Sequence, residues 1–224
     1  MNSGQFTLHL VRHAQSANNA KPESQRIADP PLTDLGVEQA RALASVIGQL
    51  SPDHLFSSPF LRTLQTTAPV AQALGILPTV RADLYEQGGC YRGHRIDDRT
   101  PEPGMRRSEI QSLHPTWQID PAIDESGWNK HETYETLQEA RKRAQRVAKW
   151  LAEHPWPDGA RVLLVIHADF KIRLLESLLS NLTVDVQLGS VINTAWTSLS
   201  YQAGRWQLDE FNSHPHLEPQ MITS

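Results

Sequence analysis

The chain has 224 residues, with 21 Lys+Arg against 25 Asp+Glu and a formal net charge of −4. Hydrophobic residues make up 39% and charged residues 21%, which suits one folded domain with a sizeable core. A mildly acidic balance gives no electrostatic footprint for a nucleic-acid backbone, and the longest aliphatic run, Val162 to Ile166, is far short of the roughly 20 residues that a bilayer span needs. Neither nucleic acid nor membrane is therefore expected as a partner. Arg12 and His13 arrive before any signal-like apolar stretch develops, and a single cysteine, Cys90, excludes an intramolecular disulfide. The expected compartment is the cytoplasm.

Phe6 to Val11 is β-rich and reads as a buried strand, followed by an Asn-, Ser- and Pro-rich loop from Gln15 to Pro31. Thr33 is placed to cap a helix carrying Leu35, Ala40, Leu43, Ala44, Ile47 and Leu50 at helical spacing. His54 to Ser57 reads as a second strand. Ser58-Pro59 then reads as a helix start, with Leu61 and Leu64 inward and a kink or break expected at Pro69. Gln87 to Lys130 is rich in Gly and Pro, and only short segments of it are expected to be regular, as in a lid.

From Glu132 to His154 the helical signal is strongest, with Leu137, Ala140, Ala144, Val147, Ala148 and Leu151 as the apolar stripe. Glu139 and Arg143 read as an i,i+4 pair on its outer face. Val162 to Ile166 has the pattern of a strand buried on both faces, followed by a helix from Phe170 to Leu179. Ala195 to Tyr201 and Trp206 to Phe211 read as a terminal hairpin. Strands alternating with helices predict an α/β fold: a three-layer sandwich with a mostly parallel central sheet, helices on both faces and an irregular lid insertion at about 87–131. The expected domain spans 1–213, with 214–224 a frayed tail.

In such folds reactive groups gather where strands end. His13 follows the first strand beside Arg12, and His167 follows the most buried one. Imidazole can serve as a nucleophile, and a neighbouring guanidinium suits phosphate oxygens, which it grips in pairs. Arg62 lies one turn into the helix after Ser57-Ser58-Pro59, at the same sheet edge. Glu86 opens the lid and is placed as a proton donor to a leaving oxygen. A thiol mechanism needs Cys-x5-Arg, but the position that arginine would take, after the five residues that follow Cys90, is Ile96.

These residues carry a resemblance. Arg12-His13-Ala14-Gln15-Ser16 followed by Asn19 resembles the Arg-His-Gly-Glu-Ser…Asn opening of the histidine phosphatase superfamily, the phosphoglycerate-mutase-like proteins. Ser57 to Thr66 is similar to that family's Ser-x-Leu-x-Arg-Ala-x-Gln-Thr block, and Leu32-Thr33-Asp34-Leu35-Gly36 to its Leu-Thr-x-x-Gly. Glu86 with Gly93, His167 and Asn193-Thr194 fall in family order.

The resemblance implies phosphoryl transfer through a phosphohistidine at His13. Arg12, Arg62 and His167 would hold the three equatorial oxygens, Glu86 would be the acid and then the base, and Ser16, Asn19 and Ala168 would touch substrate. It implies no cofactor and no metal. The substrate would be a small phosphorylated metabolite or a phosphoprotein, with the arginines at 92, 95, 99, 106 and 107 available to recognise the rest of an anionic substrate. Ala14, Gln15 and Ala168 depart from the usual Gly, Glu and Gly. The mutase members carry a Phe-Thr-Gly-Trp-like segment where Ala20 to Gln25 stand here, so a phosphatase is preferred over a cofactor-dependent phosphoglycerate mutase. A non-catalytic phospho-ligand-binding protein is the third reading, and it has no need of a nucleophile together with an acid.

Overall fold

The computed structural model of the protein describes residues 4–95, 97–179 and 189–224. In chain order it contains β1 (Phe6–Arg12), α1 (Ala17–Ala20), α2 (Asp34–Val46), β2 (His54–Ser57), α3 (Leu61–Leu74), β3 (Thr79–Val80), β4 (Tyr91–Arg92) and β5 (Thr100–Pro101). There follow α4 (Arg107–Leu113), β6 (Gln118–Ile119), α5 (Leu137–Glu153), β7 (Ala160–Ile166), α6 (Ala168–Leu178), β8 (Trp196–Gln202) and β9 (Arg205–Ser213). Seven strands form one sheet in the order β6-β3-β2-β7-β1-β8-β9. Its first five are mutually parallel, and β8 and β9 run antiparallel at the far edge.

The two-residue period of a strand sorts the core of this sheet. On β7, Val162, Leu164 and Ile166 face α5 and α6, where Ala144, Val147, Leu151, Phe170 and Leu174 meet them. Leu163 and Val165 face α2 and α3, against Leu43, Ile47 and Val70. All five β7 residues are fully buried, each contributing about 1.5–3 kcal/mol of apolar transfer. Helices therefore cover both faces, as the alternation of elements predicts. Register then sets the chemistry: Arg12 pairs with Ile166 and Ser57 with Val165, so β1, β2 and β7 release His13, Ser58 and His167 side by side.

Several local expectations are corrected. α3 runs unbroken through Pro69, because Leu64, Val70 and Ala71 are buried and packing outweighs the cost of proline in a helix. That helix begins at Leu61 with Phe60 as its N-cap, so Ser58 and Pro59 precede it. α5 begins at Leu137 rather than Glu132, where Thr136 and Glu139 form a capping box: Glu139 N–H donates to Thr136 Oγ1 at 3.3 Å and Thr136 N–H to Glu139 Oε2 at 2.7 Å. Glu139 is thus a cap, and Arg143 lies inside the protein, not on the outer face. It pairs with Glu135 at 2.7 Å, both side chains being 1% exposed.

The excursion after residue 87 is only partly irregular. It holds α4, contributes β6 to the central sheet, and closes over its own cluster of Phe60, Leu64, Val80, Ile110, Ile123 and Trp128. The frayed tail is also corrected. Leu217 is buried, the His216 ring stacks on Trp196 at 5.4 Å, and Gln39 Nε2 donates to the Met221 carbonyl at 2.6 Å and to Thr223 Oγ1 at 2.8 Å. Backbone donors and a buried amide fix the segment where its sequence shows no periodicity.

Candidate active site

His13 leaves β1 buried, at 3% exposure, with its main chain held on both sides. Its N–H donates to the Ile166 carbonyl at 2.9 Å and its carbonyl accepts from Asn193 Nδ2 at 2.8 Å. The next residues are tied as firmly. Ala14 N–H donates to Thr66 Oγ1 at 3.0 Å, and Gln15 N–H to Gln39 Oε1 at 2.7 Å. Thr33 N–H donates to the Gln15 carbonyl at 3.0 Å, while Thr33 Oγ1 caps α2 by accepting from Gly36 N–H at 3.0 Å. Gly36 is required here: a Cβ on it would stand 2.0 Å from the Gln15 oxygen. The helix start is built around the histidine loop.

The ring of His13 is oriented by its partners. Nδ1–H donates to the Ala14 carbonyl at 2.7 Å, and Nε2 accepts from Arg62 Nε–H at 3.1 Å. Since a guanidinium only donates, Nε2 carries the lone pair. Arg62 Nη2 also donates to His167 Nδ1 at 3.1 Å, which leaves the His167 proton on Nε2, donated to Ser58 Oγ at 2.7 Å. One guanidinium thus bridges two imidazoles whose centroids are 5.0 Å apart. Burial, followed by the charge of Arg62, holds both histidines neutral, well below the ordinary imidazole range. Burial likewise draws Arg62 down to about 10.

Arg12 is buried beside them, with Nη1 donating to the Val191 carbonyl and Nε without a partner among the described residues. With Ala168, Asp169, Ile172, Arg173 and Val191 it lines a cavity of about 380 Å³. Glu86 sits against the first turn of α6, where its Oε1 accepts from Phe170 N–H at 2.9 Å and from Gln87 N–H at 2.8 Å. Burial, then the nearby charge of Asp169, raises its carboxyl above the ordinary range, against the pull of Arg62. A carboxyl held above its ordinary range and a neutral, arginine-flanked imidazole are the kinds of group that acid–base and nucleophilic chemistry need.

Of the residues expected to touch substrate, Ala168 opens α6 at the Arg12 cavity. Ser16 and Asn19 serve each other instead: Asn19 Oδ1 accepts from Ser16 N–H at 3.0 Å and from Ser16 Oγ at 2.9 Å, capping α1. Neither carries a hydrogen bond to the His13–Arg62–His167 group. Cys90 is buried and its thiol is pushed up to about 12, while Ile96 lies outside the described residues.

Sequence reasoning missed three parts of this site. Ser58 holds His167, and only a second strand ending level with β7 pointed toward it. Arg143 donates to the carbonyls of Asp83 at 3.0 Å and Tyr85 at 2.8 Å, so with Glu135 it fixes the chain just before Glu86. Gln39, fully buried on α2, gave no signal beyond a polar residue on an apolar face.

Three parallel strand ends thus bring two neutral imidazoles and Arg12 to one edge of an α/β sheet, with Arg62 of α3 between the imidazoles and Glu86 against α6. Residues 8–214 match the histidine phosphatase superfamily (branch 1), and the chain belongs to that family. It is 33% identical over 104 residues to a probable phosphoglycerate mutase of Yersinia pestis, 46% of this chain and 48% of that one. The match thus spans about half the length of such curated relatives. Among solved structures it is similar to a mycobacterial glucosyl-3-phosphoglycerate phosphatase complexed with VO3, at 26% identity, TM-score 0.63, and 93% and 99% coverage of the two chains. The fold is also that of a phosphoglycerate mutase from Bacillus anthracis (21% identity, 96% of each chain, TM-score 0.67). A phosphoserine phosphatase mutant from Entamoeba histolytica shares it as well (21% identity, 95% and 100% coverage, TM-score 0.63). No described helix is long and apolar enough to cross a membrane.

Proposed function

We propose that the protein hydrolyses phosphomonoesters through a phosphohistidine formed on His13 Nε2, without a metal. The observation that carries this reading is the state of that ring: neutral, tied through Nδ1–H to Ala14, and offering its Nε2 lone pair toward Arg62. The phosphoryl group takes over the N–H groups of Arg62 that now bridge the imidazoles, and Arg12 and His167 hold its other oxygens. His167 presents Nδ1 as an acceptor, so gripping an oxygen requires a proton there, which the negative charge of the bound group favours. As the P–O bond breaks, the leaving alkoxide takes the proton of Glu86. Glu86, now a carboxylate, deprotonates the water that attacks the phosphohistidine, and the cycle closes with phosphate released. With two guanidiniums facing the transferred group, its charge is met by the protein's own cations.

Similarity to phosphatases of glucosyl-3-phosphoglycerate and phosphoserine supports a small phosphorylated substrate. The second reading, a mutase that returns the phosphoryl group to its product, is favoured by the Yersinia pestis relative. Phosphate release from a panel of phosphorylated metabolites and phosphopeptides, in excess EDTA, tests the proposal together with trapping of acid-labile, base-stable phosphate on the protein. Turnover and trapped phosphate are expected in the wild type and absent from a folded His13→Ala variant. Substantial activity in that variant, dependence on added Mg²⁺ or Zn²⁺, or phosphoglycerate interconversion outrunning phosphate release overturns it.

A further inference from the structure

One buried ionisable side chain takes no part in the chemistry proposed at His13. Lys171, one turn into α6, is fully buried, whereas Lys21, Lys130, Lys142 and Lys149 are all exposed. The two-residue period of β1 puts Arg12 on the face of Phe6, Leu8 and Leu10, which α6 covers with Phe170, Leu174 and Leu175. Lys171 lies on that same stripe of α6, so its side chain is enclosed on the Arg12 side of the sheet. It is tied to both of the residues proposed to grip a phosphoryl group. The Lys171 N–H donates to the His167 carbonyl at 3.0 Å, and its amine, Nζ, donates to the Ala195 carbonyl at 3.3 Å. That carbonyl also accepts the main-chain N–H of Arg12 at 3.3 Å.

An ammonium carries three donors, and this one has a single acceptor among the described residues. Charged, it would hold enclosed N–H groups without partners beside a buried guanidinium of the same sign, which is costly. Burial first, and then the charge of Arg12, accordingly draw Lys171 down to about 7. No carboxylate among the described residues is paired with it. Glu86 and Asp169 act on Arg12. On α5, Arg143 is taken up by Glu135 and lies over the Phe170 ring at 4.1 Å. On α6 itself, His167 is held by Arg62 and Ser58, and Arg173 pairs with Glu176. The strand that follows Ala195 opens with Trp196, Thr197 and Ser198, none of them charged.

A dianion held by Arg12 reverses this balance, because it lies within reach of a second cation where screening by water is weak. We propose that Lys171 is a positioning residue that acts on the phosphoryl pocket through Arg12: its amine stays neutral on the Ala195 carbonyl while Arg12 is free, and takes a proton from solvent when a dianion binds there. The step turns amine and proton into ammonium and makes no bond to the ligand. The pocket then gains one positive charge together with its ligand, and loses it when the ligand leaves. Lys171 rests on the reading that Arg12 meets the phosphoryl group, though on no particular ester and on no turnover.

Inorganic phosphate is the probe, titrated calorimetrically into the wild type and Lys171→Met, which keeps the side chain's length and removes its amine. The ratio of the two affinities cancels the ionisation of phosphate and of His167, which both proteins share. A group whose pKa rises on binding strengthens binding below its free value and ceases to do so above its bound one. The ratio, wild type over variant, should therefore be about tenfold near pH 6 and close to one by about pH 9. A ratio that does not change with pH marks a loss of packing alone and overturns the proposal. In the wild type, the Cε resonance of Lys171 in lysine-labelled protein should titrate near neutrality without phosphate and at higher pH with it. A midpoint that phosphate leaves unmoved overturns the proposal whether or not the variant folds. Phosphate that fails to bind the wild type overturns the proposed function and this inference with it, whereas binding with a flat ratio overturns this inference alone.

Discussion

The main chain and ring of His13 are matched to partners in the protein, whereas over Tyr91 two guanidiniums each keep an enclosed Nε–H that finds no acceptor among the described residues. The difference follows from where each region lies. The histidine loop leaves a buried parallel strand, where an unpaired donor or acceptor is costly, so Gln39, Thr66, Asn193 and Ile166 answer its groups one by one. The excursion between 87 and 131 packs its apolar residues on Phe60, Leu64 and Val80 and carries exposed and half-buried arginines. Burial at the strand ends fixes the His13 group, and the half-buried arginines of the excursion are under no such demand.

The comparison breaks most visibly at the junction of the two regions, Glu86. Glu86→Gln should slow alkyl phosphates by about 10²–10⁴-fold and p-nitrophenyl phosphate far less, because that leaving group needs little protonation. The ratio of the two rates in wild type and variant is the measurement, and equal losses contradict the acid assignment. Next comes the ion pair that holds the chain before Glu86. Arg143→Ala leaves Glu135 charged and enclosed, so urea unfolding should show a loss of about 3–5 kcal/mol.

A smaller effect is expected from Gln39→Ala, which frees Gln15 N–H, the Met221 carbonyl and Thr223 Oγ1 together. About 1–3 kcal/mol of stability should go, with faster amide exchange at Gln15 and a fall in kcat at nearly unchanged KM. If exchange quickens only in the excursion, the coupling has been misplaced.

The mildest probe is pH. Burial holds His9 and His216 at about 4, and His13 and His167 well below the ordinary value, so the unfolded chain binds protons that the folded one refuses. Stability should therefore be fully present above about pH 6.5 and fall as pH drops toward 4, visible as a declining Tm. Asp29, raised to about 6, and Glu86, also raised, act in the opposite sense over part of that range. Four imidazoles against two carboxyls set the direction. A Tm that rises on acidification contradicts it.

Much of this was legible from residue order. Period-two and period-3.6 patterns gave the β1, β7, α2 and α5 regions, and strand ends gave His13, His167 and Arg62 their common edge. What stayed hidden depends on contacts without local signature. Arg143 reads as a surface charge because its i,i+4 neighbour is acidic, yet its partner is Glu135, eight residues earlier and ahead of the helix. β3 and β6 are two residues each, too short for any period to show. Ser58 looks like a helix cap until β2 and β7 are seen to end level. The segment from His214 onward lacks periodicity because Gln39 and Asn193, far away in sequence, supply its order.

That last arrangement places a limit on when the protein becomes competent during synthesis. Gln39 joins residues 182 and 184 positions away, and the Asn193 amide reaches back 180 positions to the His13 carbonyl. β1 has no sheet neighbours until β7 and β8, more than 150 positions later in the chain, exist. Contacts so long in sequence form late, after the helices. A nascent chain still short of residue 190 can hold folded helices and most of the sheet while the His13 carbonyl lacks its Asn193 partner. Arg12 and His13 are synthesised some 180 positions ahead of Asn193, which completes their bracing.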